Sequence, residues 1–537
     1  MKVTKSIECP KRGYRLILWR RQLLNKKKDK KMTMVSRRGL MAGGLTLGTM
    51  TAVGAHAATA IESKRRLIAD TRSLEVNGRA AKVFRLSDEA GHPGLTLAPG
   101  ERFQVELANQ TADHTIIHWH GQLPPWTQDG FPWPQTPPLA PAATRTYDYA
   151  PIPGTYWMHS HQGLQEQSLM TAPLIVRDAI ELREDRQEVV LMLHDFSFRG
   201  PDELLAGLTG QTLSQIHVLA TKSENVSASS PPQVSGENAM GMIQGMQSMG
   251  TMSKKNVMGS MGGMKMDLND IDYDAFLAND RTLRDPEIIQ VERSGRVRLR
   301  IINGASSSQF WVDLGALNGH VVAVDGHPVY PVAGGRFPLA IAQRLDILVD
   351  LPNAGSFPIL ARLEGTRRRT GIVLTTPGAS VPRIDETGLD EMQPIDNSME
   401  TRLIARAPLA PRKPDLVHRM VLAGGMKPYS WSLNGEYWPH ITPLMLQKGQ
   451  RVEIEMVNHS MMAHPMHLHG HAFQVIAVNG QPIHGAVRDT VLVTPMMGSV
   501  RIAFDANNPG RWPLHCHNLY HMMAGMMTEV RYDSIKV

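Results

Sequence analysis

One alternating string of apolar and polar residues recurs three times along the chain. It reads Arg102-Phe103-Gln104-Val105-Glu106-Leu107-Ala108-Asn109, then Arg296-Val297-Arg298-Leu299-Arg300-Ile301-Ile302-Asn303, then Arg451-Val452-Glu453-Ile454-Glu455-Met456-Val457-Asn458. Successive side chains of a strand point to opposite faces, so the alternation predicts a half-buried strand in each copy. A second string follows each of the first: Gly154-Thr155-Tyr156-Trp157-Met158, Gly355-Ser356-Phe357-Pro358-Ile359 and Gly510-Arg511-Trp512-Pro513-Leu514. Two matched strings at three places predict three homologous β-domains. They are expected at residues 66–180, 181–378 and 400–537, with a polar connector containing Pro and Gly around Thr376 to Glu400.

Composition agrees with that pattern. A chain of 537 residues exceeds one small core, and 46 Gly and 36 Pro suit many short strands and turns better than a helical bundle. The net charge of +7 is misleading, because residues 1–57 hold 14 of the 57 Lys and Arg but 2 of the 50 Asp and Glu. The remainder carries 43 basic against 48 acidic residues, a net of −5, with no footprint for nucleic acid.

Within that basic leader, Ser36-Arg37-Arg38-Gly39-Leu40-Met41 is a twin-arginine pattern, followed by a weakly apolar run from Leu40 to Val53. Ala55-His56-Ala57 supplies a small-x-small cleavage site. Residues 1–57 are therefore expected to be a signal peptide read by the twin-arginine export machinery, delivering the protein to the periplasm. The apolar run is too short to span a bilayer and no other candidate follows, so no stable membrane insertion is expected. Of the two cysteines, Cys9 falls in the leader and Cys516 alone remains, which excludes a disulfide in the mature chain.

The histidines sort the three copies. Nine and eleven residues after Asn109 stand His118 and His120, and the same offsets from Asn458 give His467 and His469; from Asn303 they give Val312 and Leu314. Five and seven residues after Gly154 stand His159 and His161, and the same offsets from Gly510 give His515 and His517; from Gly355 they give Leu360 and Arg362. Residues i and i+2 of a strand point the same way, so each His-x-His aims two imidazoles at one place. The first and third copies thus supply four such pairs to a shared metal cluster, with the second copy as spacer. Imidazole alone does not select the metal, since it suits copper, zinc, iron and nickel.

Cys516 narrows the choice. Between His515 and His517 its sulfur faces away from the cluster, toward a second site. His464 lies three residues before His467, and His521 and Met526 follow Cys516. Two imidazoles, a thiolate and a thioether make the donor set of a blue copper centre.

The motifs His118-Trp119-His120-Gly121, His159-Ser160-His161, His464-Pro465-Met466-His467-Leu468-His469-Gly470-His471 and His515-Cys516-His517 through His521 to Met526 resemble the four copper signatures of multicopper oxidases. That resemblance implies an all-β fold of three cupredoxin-like Greek-key β-sandwich domains. It also implies four copper ions, with electrons taken singly at one site and O2 reduced to water at another. By the same resemblance, the type 1 copper takes His464, Cys516, His521 and axial Met526, and the type 2 copper takes His118 and His467. One type 3 copper takes His120, His159 and His517, and the other takes His161, His469 and His515. His471 is expected to be structural. Asp129, in Gln128-Asp129-Gly130, resembles the carboxylate that delivers protons to bound oxygen. The acid that many relatives carry between the last His and the axial Met is missing from Met522-Met523-Ala524-Gly525.

Methionine points to the electron donor. Nine Met lie between Met240 and Met266 among Gly, Ser and Gln, and thioethers are soft donors that suit Cu(I). Met461, Met462, Met466, Met522, Met523 and Met527 crowd the type 1 motifs as well. The chain is most similar to CopA-type copper-resistance oxidases, which implies Cu(I) oxidised to Cu(II). Alternatives are a laccase-like oxidase taking a phenol or another small reductant, and a non-catalytic copper-sequestering protein.

Overall fold

The computed structural model describes residues 64–213 and 268–536. The leader and the Met-rich stretch 240–266 lie outside the described residues.

Six sheets fall into three successive pairs. Residues 65–176 form two four-stranded sheets, one ordered Arg79–Ser87, Arg65–Val76, Phe103–Asn109, Thr144–Tyr149 and the other Leu95–Leu97, Thr171–Val176, Gly154–Ser160, Ile117–His120. Residues 187–375 hold a six- and a five-stranded sheet, and residues 416–532 a seven- and a five-stranded sheet. Among the described residues, no helix is long and apolar enough to cross a membrane.

The alternating string occupies the same place in every pair. Phe103–Asn109, Arg296–Asn303 and Arg451–Asn458 each run parallel to the first long strand of their own repeat, namely Arg65–Val76, Gln187–Phe196 and Leu416–Met426. The inward positions of these strands, such as Val105, Leu299 and Ile454, are fully buried. Each string stops at a buried Asn for the same reason. Asn109 Nδ2 donates to the carbonyls of Asp113 (2.8 Å) and Leu139 (2.9 Å). Asn303 Nδ2 donates to Ser308 (3.0 Å) and Leu339 (3.3 Å), and Asn458 Nδ2 to Met462 (2.7 Å) and Val493 (3.2 Å). A buried amide with both protons satisfied fixes the turn that leads into the next strand. In the first and last repeats that next strand carries histidine.

The middle repeat does more than separate its neighbours. Arg344 Nη1 and Nη2 grip Asp489 of the last repeat at 2.8 and 2.5 Å, while its Nε donates to the Thr155 carbonyl of the first. Arg488 reaches back to Asp325 at 2.8 Å and to Glu400. Arg300 joins Asp346, Glu181, Glu188 and the Thr155 hydroxyl. Burial alone would raise the Asp489 carboxyl, but Arg344 and His120 beside it hold it well below the usual carboxylate range. The Arg344–Asp489 and Arg488–Asp325 pairs are buried and multiply hydrogen-bonded, the condition under which charges are tolerated in an interior.

Candidate metal centre

Two antiparallel strand pairs bring the histidines together. In the first repeat, Ile117–His120 pairs antiparallel with Gly154–Ser160, setting His118 opposite His159. In the last, His464–Leu468 pairs antiparallel with Arg511–Cys516, setting His467 opposite His515 and Met466 opposite Cys516. His161 and His517 extend the second strand of each pair, their main-chain N–H groups donating to Ile116 and Pro465.

The eight imidazoles of the four His-x-His pairs gather in one buried cluster. Across the two repeats, His118 Nε2 lies 3.4 Å from His467 Nε2. His469 Nε2 lies 3.1 Å from His515 Nε2, and His161, His469 and His515 share one donor group. The rings of His120, His159 and His517 stand 5.0–5.6 Å apart, centre to centre.

Four of the rings are held by hydrogen bonds from behind. The Nδ1 of His118 donates to the Asp129 carbonyl at 2.9 Å, and that of His467 to the Asp489 carbonyl at 2.9 Å. His515 Nδ1 donates to the Cys516 carbonyl at 3.0 Å, and His469 Nδ1 to Asp129 Oδ2 at 2.7 Å. In these four rings Nε2 must then carry the lone pair, and it points into the cluster. His120 is turned the other way: Nε2 contacts Asp489 Oδ1 at 3.0 Å and leaves Nδ1 without a partner. Glu166 Oε2 lies 2.7 Å from His159 Nδ1, and Glu166 Oε1 lies 4.0 Å from His517 Nδ1.

This arrangement fits a metal. Lone pairs facing each other at 3.1–3.4 Å repel unless a cation lies between them. The buried His120 Nδ1, His159 Nε2, His161 Nε2 and His517 Nε2 have no hydrogen-bond partner, each a cost of about 1–3 kcal/mol if nothing binds it. Burial and mutual repulsion depress protonation of these rings, His515 to about 3 and His159, His161, His469 and His517 well below the usual range. Neutral imidazole is the form a metal requires.

The second group is smaller. Cys516 Sγ stands 3.6 Å from His464 Nδ1 and 3.7 Å from His521 Nδ1, and the two nitrogens are 3.1 Å apart. His521 reaches this position because Asn518 caps the short helix Leu519–Met523, accepting from the N–H groups of Tyr520 and His521. Met526 is fully buried, its carbonyl taking the Cys516 N–H at 3.1 Å. Trp431 stacks on His521 at 4.0 Å. The distal nitrogens are covered: Ser460 Oγ lies 2.7 Å from His464 Nε2, and Asp270 Oδ2 lies 3.2 Å from His521 Nε2. Burial pushes the thiol up, so the thiolate needs a cation beside it.

Asp129 is fully buried, with Oδ2 on His469 and Oδ1 3.3 Å from His118 Nδ1. It can come this close because Gly130 follows it at φ +89°, where a Cβ would stand 1.8 Å from the Ile117 carbonyl. His471 is outside the cluster, bonded to the Tyr532 hydroxyl at 2.7 Å. Sequence reasoning missed Asp489, Glu166, Asp270, Ser460 and Arg344. None has a spacing signal; Asp270 follows the Met-rich stretch, and Asp489 lies in the unremarked Arg488-Asp489-Thr490.

Fold and site together describe a copper-binding β-protein in which a cysteine-centred donor set adjoins a histidine cluster. Three models of the multicopper oxidase family match residues 69–180, 222–381 and 410–535. The chain is 31% identical to the multicopper oxidase MmcO of Mycobacterium tuberculosis, over 86% of this chain and 85% of that one. It is 26% identical to a copper resistance protein A homolog of Pseudomonas syringae pv. tomato, over 86% and 90%. Among solved structures, Fet3p, a multicopper oxidase that functions in iron import, superposes with a TM-score of 0.67 at 20% identity, over 87% of this chain and 90% of that one. The laccase from Botrytis aclada gives 0.66 at 20%, over 88% of each. The chain belongs to the multicopper oxidase family, with cupredoxin-like domains, and is an oxidoreductase that uses copper and oxygen.

Proposed function

We propose that the chain binds four copper ions and uses them to oxidise Cu(I) to Cu(II). His464, Cys516, His521 and Met526 hold the type 1 ion, and His118 and His467 the type 2 ion. The type 3 ions fall to His120, His159 and His517 and to His161, His469 and His515. Copper bound at these sites supplies one-electron oxidation of the donor and four-electron reduction of O2 to water.

The chain's own residues prepare both reactions. Cys516 belongs to one donor set and its neighbours His515 and His517 to the other, so one stretch of backbone joins the two covalently. Asp129 positions His118 and His469 and is the buried acid suited to pass protons into the cluster. Arg344, through Asp489, holds His120 and His467 against rotation, and burial keeps bulk water from the rings.

A small donor is favoured over an aromatic one by a single observation. The side chains of His464 and His521 are fully buried, with Ser460 and Asp270 over their distal nitrogens. A phenol has no exposed imidazole edge to rest against, whereas a soft cation needs only thioethers at the surface. Relatives named for copper resistance support the same reading. The pattern from Ser36 to Ala57 supports export to the periplasm by the twin-arginine route.

Oxygen uptake by the copper-loaded protein, with Cu(I) and with a phenol as donor, is the test. Cu(I) is expected to give the higher kcat/KM; preference for the phenol would replace this reading with the laccase-like one. Copper binding without oxygen uptake would mark a sequestering protein.

A further inference from the structure

The turn that follows His161 buries two consecutive polar side chains. Glu166 is 2% and Gln167 5% exposed, although polar residues of a connecting turn ordinarily face water. The turn is tightly wound, with the N–H groups of Gln167, Ser168 and Leu169 donating to the carbonyls of Leu164, Gln165 and Glu166. Gln165 pins it to its own repeat, its Oε1 accepting from the hydroxyls of Thr115 and Ser160 at 2.8 Å each. Glu166 and Gln167 are left to reach outward.

Glu166 reaches the histidine cluster. Its Oε2 stands 2.7 Å from His159 Nδ1 and its Oε1 4.0 Å from His517 Nδ1. One ring comes from the first repeat and one from the last, and both belong to the trio assigned to a single copper. Gln167 reaches the other way. Its Oε1 accepts from the Tyr520 hydroxyl of the last repeat at 2.9 Å and from the Tyr273 hydroxyl of the middle repeat at 2.8 Å. One amide oxygen thus joins all three repeats. Tyr520 is fully buried and precedes His521 in the short helix Leu519–Met523. The same helix is tied to the middle repeat by the Leu519 N–H, which donates to the Ser306 carbonyl at 2.9 Å.

We propose that Glu166 and Gln167 form a clasp through which the first repeat positions both donor sets of the last. Glu166 sets His517 beside His159, and Gln167 sets Tyr520 and with it His521. The proposal rests on the copper reading and adds a non-covalent tie between the two sites, beside the Cys516 backbone. Both are positioning residues, acting through the ligands and not as ligands.

Site-selective loss separates a clasp from a contribution to overall stability. The copper-loaded full chain is read by its blue band for the cysteine-centred set, by total copper, and by EPR, which detects Cu(II) ions whose spins no paired neighbour cancels. Glu166→Ala is expected to release copper from the histidine cluster about 10–100-fold faster under a chelator. It is also expected to raise the EPR-visible share of the remaining copper and to leave the blue band in place. Glu166→Gln, which keeps an oxygen toward His159, is expected to restore retention. Gln167→Leu and Tyr520→Phe are expected to shift the blue band and to speed its bleaching several-fold. Tyr273→Phe removes the other hydroxyl from the same amide and is expected to leave the band where it is.

Wild-type retention in Glu166→Ala overturns the clasp, as does an unshifted band in both Gln167→Leu and Tyr520→Phe. Equal loss from both donor sets in any one variant overturns it too. Should Glu166→Ala not fold, Glu166→Asp, whose carboxylate falls one methylene short of His159, is expected to show the same selective loss, and wild-type retention there is equally fatal. The two readings fail separately. A wild-type chain that never fills the histidine cluster sinks the four-copper reading, and a filled cluster indifferent to these substitutions sinks the clasp alone.

Discussion

Asp270 Oδ2 stands 3.2 Å from His521 Nε2, while the opposite nitrogen of the same ring lies 3.7 Å from Cys516 Sγ. Asn518 and His521, one capping the helix and the other at its last turn, both turn their side chains to this carboxylate. Asp270 therefore places a buried carboxylate behind the ring, on the side away from Cys516. Asp270→Ala is expected to weaken copper retention at the cysteine-centred set by roughly 10–100-fold, the usual cost of losing such a support. Decay of the visible absorption under a chelator measures it. Asp270→Asn, which keeps an acceptor oxygen, is expected to retain most of the affinity.

Asp489 is the shared anchor of Arg344 and His120. Asp489→Ala removes the bidentate partner of the fully buried Arg344 guanidinium and leaves it only Asp325 at 3.6 Å as counter-charge, a loss of about 3 kcal/mol of folding stability. Chemical denaturation of the copper-free protein reads this directly. A loss below 1 kcal/mol, on the same scale, would mean that water replaces the carboxylate and that the middle repeat does not brace the cluster.

Gly130 allows Asp129 to approach His118. Gly130→Ala places a methyl against the Ile117 carbonyl at a backbone angle alanine resists. The expected cost is about 1–3 kcal/mol of strain, together with reduced copper in the histidine cluster, measured as metal content after dialysis. Gly78→Ala serves as control, because its φ is also positive (+87°) but nothing lies within 4 Å of the added carbon.

Glu364 gives a dependence on pH away from the metal. Burial raises its carboxyl to about 7, against the pull of hydrogen bonds from the Ile395 N–H (2.8 Å) and Gln309 Nε2 (2.7 Å). An unfolded glutamate titrates near 4.3. Between those values the folded chain holds a proton that the unfolded chain releases, so stability is complete below the lower value and falls as pH rises through the upper one. The loss is on the order of 3 kcal/mol. Glu364→Gln is expected to flatten this part of the thermal-unfolding profile.

What was legible in the sequence was local. The alternation in Arg102 to Asn109 and its two counterparts announced strands, and fixed offsets from Asn109 and Asn458 announced His118 and His467, because register within a hairpin repeats wherever the string repeats. The supports were not legible, because they are distant in sequence. His120 meets Asp489 across 369 positions, and Asp489 meets Arg344 across 145. No periodicity links such residues; only the docking of the repeats does. The spacer role expected for the middle repeat was incomplete for the same reason, since Arg344 and Asp270 reach the donor sets through tertiary packing.

The central claim is that one sulfur couples the two donor sets through its own peptide neighbours. Its most direct measurement compares oxygen uptake with Cu(I) in copper-loaded wild type and Cys516→Ser, with metal content and visible absorption followed in parallel. The serine variant is expected to lose the blue band and the uptake while keeping copper in the histidine cluster. Uptake at the wild-type rate in that variant would contradict the account.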